Sequence, residues 1–124
     1  MARKRTNEHR YQIGLVPLTI GVTGHRDLVD SEIGPIRERV RALFTSLQVR
    51  FSDRPLAVLS PLAEGADQLV AEVALELGLE LAVVLPMPMD LYRADFSNPT
   101  LREKFERLVQ EPAEVLELPT AAGP

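Results

Sequence analysis

The chain alternates between two hydrophobic periods. "LTIGV" (Leu18–Val22) is a short apolar run with β-branched residues, which predicts a buried strand. Beyond it, Ile36, Val40, Leu43, Phe44 and Leu47 recur at helical spacing, with Arg37, Arg39 and Arg41 directed mostly to other faces. Pro35 suits the first turn of that helix, where its missing N–H costs nothing. "LAVLS" (Leu56–Ser60) predicts a second strand and "PLAEG" a loop. Leu69, Val70, Val73, Ala74 and Leu77 then form a second helical stripe, which Gly78 stops. "LELAVVLP" gives a third strand closed by Pro86. The long loop "MPMDLYRADFSNP" leads to a third helix, with Asn98 as its cap and Pro99 in its first turn. Leu101, Phe105, Leu108 and Val109 are its buried stripe, and "EVLEL" (Glu114–Leu118) is the fourth strand.

This order predicts an α/β domain: a Rossmann-like parallel sheet of about four strands, with helices on both faces and right-handed crossovers. The domain is expected at residues 17–118, between a flexible basic tail at 1–16 and a disordered tail at 119–124. Doubly wound nucleotide folds usually carry five or six strands. The sheet is therefore either minimal or the front portion of a longer one, whose open edge a partner or a further segment would cover.

Composition narrows the function classes. At 124 residues, 45% hydrophobic and 26% charged, the chain matches one ordinary globular domain. It has no cysteine, which excludes disulfides, thiolate metal sites and cysteine nucleophiles. A net charge of −4 gives no reason to expect binding to nucleic acid. The apolar runs are too short for a membrane span, and no apolar region follows "MARKRTNEHR" to make it a signal peptide, so a cytoplasmic location is the default.

The candidate chemistry lies in the loops at the carboxyl ends of the strands, where ligands of open parallel sheets bind, close to a reversal of strand order. The first loop reads "GVTGHRD". Gly21 and Gly24 can take backbone angles closed to other residues and expose N–H groups to an oxyanion. Thr23 adds a hydroxyl, His25 a donor, and Arg26 a planar fork matched to phosphate. The competing reading is a tight turn with Arg26 and Asp27 as a surface ion pair. The spacing is G-x-x-G, neither the dinucleotide fingerprint nor a P-loop. "HRDL" is similar to the catalytic loop of protein kinases, but the downstream asparagine is missing and the chain is too short for that fold. His25 and Asp27 lack further ligands at metal-binding spacing, so no metal site is expected, and no cofactor is implied.

The second loop, "SPLAEGADQL" (Ser60–Leu69), leaves at the same end. Ser60, Glu64, Gly65, Ala66 and Asp67 surround a helix start whose free N–H groups favour anions. Asp67 has three readings: complementing the helix dipole, accepting from ribose hydroxyls, or orienting Arg26. Glu64 is either solvated or poised over a ligand. In the third loop, Tyr92 either stacks on a base, with Arg93 meeting a phosphate, or packs with Met87, Leu91 and Phe96 against the sheet.

Together, "VTGHRDL", "LSPLAEGADQLVAEVALELG" and "LAVVLPMPMDLYRADF" resemble the SLOG superfamily over about Thr19 to Leu118. These are Rossmann-like domains related to the DNA-processing protein of transformation and to the Lonely-guy phosphoribohydrolases. The resemblance implies binding of a nucleotide or nucleotide-derived ligand at Gly21, Thr23, Gly24, His25, Arg26, Gly65, Ala66 and Asp67. It also implies fusion to, or encoding beside, effector modules. The enzymatic relatives carry a G-G-x-G-T loop and a catalytic glutamate in their later half. Here the only glycine after Gly78 is Gly123, so no catalytic residue is assigned. Three functions follow for testing: a nucleotide-binding or nucleotide-sensing module; an N-glycosidic hydrolase of nucleoside monophosphates using Glu64, Asp67 or His25; and a structural or homo-oligomeric assembly domain with vestigial loops.

Overall fold

The computed structural model describes residues 16–24, 27–111 and 114–119. The tail expected at 1–16 lies outside them apart from Val16, as does most of the tail at 119–124. Four strands, β1 (Leu18–Gly21), β2 (Leu56–Ser60), β3 (Glu80–Leu85) and β4 (Glu114–Glu117), alternate with helices α1 (Asp30–Arg50), α2 (Ala66–Glu76), α3 (Met89–Ala94) and α4 (Pro99–Leu108). All strand pairs are parallel, as the β–α alternation requires. The fold is α/β with a four-stranded parallel sheet flanked by helices, a Rossmann-like arrangement.

The strands lie in the order β1-β2-β3-β4. Strand order therefore never reverses among the described residues, and the crevice that a reversal would open is absent there. This corrects the expectation that placed the ligand near such a switch point. Helix α2 lies between α1 and α4: Arg37 reaches across to Glu72 and Glu76, and Lys104 reaches Glu72 from the other side. The three long helices thus form one layer. Beneath it, Val58, Leu81, Val83 and Leu85 are fully buried together with Phe44, Leu62 and Phe105. Leu59 and Leu116 are exposed.

Several elements differ from the expected bounds. Helix α1 starts at Asp30, so Pro35 stands in its second turn rather than its first. A proline there normally clashes with the residue before it. That residue is Gly34, which carries no Cβ to meet the proline ring, and the helix passes through. Leu43, expected on the buried face, is exposed, leaving Phe44 as the fully buried anchor of α1. The third loop contains the short helix α3. Asn98 caps α4 as expected, its side-chain oxygen accepting from Leu101 N at 2.9 Å, with Pro99 in the first turn. Gly78 takes φ +75 and stops α2. No helix of the described residues is long and apolar enough to cross a membrane.

Candidate functional site

The parallel sheet brings the loops after β1, β2 and β3 to one end. The first two meet at a single seam. A Cβ built on Gly24 would lie 2.5 Å from Ala66 Cβ and 3.8 Å from Asp67 Oδ1. Gly24 is therefore a glycine for space, and the bend after β1 rests on the first turn of α2. This differs from the sequence reading, which invoked special backbone angles at Gly21 and Gly24. Neither has positive φ, and a Cβ at Gly21 would meet nothing within 4 Å. Thr23 beside them is exposed. His25 and Arg26 lie outside the described residues.

The second loop is held from inside. Ser60 is fully buried, and its Oγ accepts from Leu62 N at 3.0 Å and lies 3.4 Å from Asp67 O. Leu62 has φ 55, a left-handed angle that a bulky residue keeps only when its surroundings impose it. Here the surroundings are that serine and the core, which buries the Leu62 side chain completely. Gly65, with φ 92 and ψ −128, then turns the chain into α2 through a conformation natural to glycine alone. The loop needs Ser60 as an internal clamp and Gly65 as a pivot.

Glu64 is buried, with Oε1 accepting from Ser97 N at 2.8 Å and Oε2 from Ser97 Oγ at 2.7 Å. It ties the second loop to the segment that opens α4. Tyr92 is buried, packed edge-on against Phe96 and Phe105 at centroid distances of 5.6 Å each. Arg93, considered above for a phosphate, is instead clasped by Glu106 and Asp90.

Asp67 is 4% exposed, and its Oδ1 has no hydrogen-bond partner among the described residues. Burial pushes its carboxyl pKa up, while a hydrogen bond from the Ala63 backbone pulls the other way. The carboxyl therefore lies buried in the first turn of α2 rather than solvated on its surface.

Beside this seam runs a groove of about 490 Å³, where the starts of α1, α2 and α4 converge. Its walls include Leu101 of the α4 stripe and residues that periodicity did not single out: Leu28, Ile33, Gln68 and Lys104. Gln68 is 1% exposed, and its Nε2 lies 3.4 Å from both Leu62 O and Leu101 O. Its sequence signal was only a polar residue one place after Asp67 on a helix start. Among the described residues, no group of three or more histidines, cysteines or carboxylates could hold a metal ion.

The chain matches no protein-family model, and no curated protein is detectably similar to it.

Proposed function

We propose that the chain is a cytoplasmic binding or sensing module for a nucleotide or nucleotide-derived ligand, held where the loops after β1 and β2 meet. The observation that carries this reading is the close approach of Gly24 to Ala66, which brings the first loop onto the free N–H groups of the α2 start. Phosphate oxygens suit those N–H groups. Glu64, one of the three residues considered for hydrolysis of a glycosidic bond, has both oxygens engaged by Ser97, which favours binding over catalysis at that residue.

Titration calorimetry and thermal melting with a panel of nucleoside mono-, di- and triphosphates test this reading. Saturable heat and a raised Tm are expected with at least one member. Gly24→Val should weaken binding tenfold or more while the free protein still melts cooperatively. If no nucleotide gives heat or a melting shift, the reading fails.

A further inference from the structure

Among the described residues, one face of the sheet carries none of the three long helices. In parallel strands, paired residues share a face and successive residues alternate. The register places Ala57, Leu59, Ala82, Val84 and Leu116 on the face opposite Val58, Leu81, Val83 and Leu85. The latter four join Phe44 of α1, Val73 of α2 and Phe105 of α4 in one core cluster. None of the former five belongs to that cluster or packs against it. Right-handed crossovers that all step in one direction put every connection on one side of a sheet, and the order β1-β2-β3-β4 is of that kind. Leu59 is 37% exposed on the other side, and Leu116 is 55% exposed. Parallel sheets occur almost only with both faces covered, so this apolar face calls for a cover.

Size and charge point to what the cover is. Four strands about 4.8 Å apart, each about five residues long, offer roughly 300 Å². A stable dimer buries about 800 Å² per partner, so a second copy seated on this face alone has too little to hold. The face also carries Glu80 and Glu114, which the register sets beside Ala57 and Ala82, while none of the four strands contains a basic residue. The fifteen residues before Val16, "MARKRTNEHRYQIGL", have the complementary character. Arg3, Lys4, Arg5 and Arg10 against Glu8 give them +3, which leaves −7 on the other 109 residues of a chain at −4. Tyr11, Ile13 and Leu15 recur at every second position, the pattern of an extended segment with one apolar side. An extended chain advances about 3.3 Å per residue, so fifteen residues span the roughly 15 Å from β1 to β4 with length to spare.

We propose that residues 1–15 fold back over this face as an intramolecular cover. The apolar side of Tyr11, Ile13 and Leu15 lies against Leu59 and Val84, and the basic residues lie beside Glu80 and Glu114. This contact is independent of nucleotide binding and stands or falls without it.

The chain has no cysteine, so introduced pairs report proximity unambiguously. Under mild oxidation at low protein concentration, full-length Ile13→Cys/Leu59→Cys should form an intramolecular disulfide about tenfold faster or more than Ile13→Cys/Val49→Cys. Val49 is the control because it is exposed near the end of α1, on the helix-bearing side. Adding Arg3→Glu, Lys4→Glu and Arg5→Glu should slow the first pair severalfold at low salt. In the unmodified protein, the amides of residues 11–15 should exchange with deuterium about tenfold or more slower than in a peptide of residues 1–15. Equal cross-linking of the two pairs, or exchange at the peptide's rate, overturns the proposal. A disulfide-linked dimer as the main product of the first pair also overturns it and gives the face to a second copy. A cross-linking rate indifferent to the charge reversals overturns it too, since charge is what matches this segment to this face. Should a cysteine variant not fold, exchange in the unmodified protein decides alone.

Discussion

Along its outer half, helix α2 carries Glu72 and Glu76, each met by a cation: Arg37 bridges to both, Arg41 reaches Glu76 at 2.8 Å and Lys104 reaches Glu72 at 3.6 Å. Along its first turn, the same helix buries Asp67 and Gln68 and leaves an oxygen on each without a partner among the described residues. Pairing is complete where water was available as an alternative, and incomplete where it was not. Ordinary folding economics would produce the reverse, because an unpaired buried acceptor costs about 1–3 kcal/mol and an exposed ion pair contributes little. Departures of this kind concentrate where a fold serves something other than its own stability.

The sharpest way to break the contrast is to loosen the clamp beneath the inner turn. Leu62→Ala empties a fully buried site and should cost about 2–5 kcal/mol, read from the urea midpoint. A loss below about 1 kcal/mol would mean that the left-handed loop is not held by its side chain. Next in size is Gly65→Ala, which forces a Cβ into φ 92. It should cost about 1–3 kcal/mol in the same assay and weaken nucleotide binding. Equal stability would show that the pivot relaxes freely.

Asp67→Asn sharpens the contrast by its sign. Because burial raises the folded-state pKa of Asp67, its protonated form favours the fold and its ionised form opposes it. Its stabilising contribution is complete below the unfolded carboxylate range and lost as pH rises through the raised value. The asparagine variant should therefore melt about 2–5 °C higher than the native protein near pH 7, and this gain should shrink toward acidic pH. The same variant should bind nucleotide less well. A lower Tm at neutral pH would show that the carboxylate has a stabilising partner. The smallest effect belongs to the outer half. Glu72→Gln should cost about 0.5–1 kcal/mol, less in high salt, and leave binding unchanged.

The α/β alternation was legible because each strand and helix is written in its own hydrophobic period, as with Val58 in β2 or Phe105 in α4. The cap at Asn98 and the stop at Gly78 were legible because each depends on a local backbone demand. The start of α1 was not, since no side chain caps it and a proline reads more naturally in a first turn than in the second, where Pro35 stands. In the candidate site, Gly24 was identified for the wrong reason. Its need for space arises from Ala66, over forty positions away, which no local pattern contains. Gln68 was missed on the same grounds: what distinguishes it is the pair of carbonyls that orient its amide, supplied by Leu62 and Leu101. Tyr92 remained open in the sequence because an aromatic in a loop fits either role, and its ring now lies among Phe96 and Phe105.

The uninterrupted succession of β1, β2, β3 and β4 also bears on how the molecule assembles. Each strand docks on the one synthesised just before it, so the sheet can lengthen stepwise as the polypeptide leaves the ribosome. The Gly24–Ala66 contact needs only the first two strands and the opening of α2. That junction can form while most of α4 has yet to be translated.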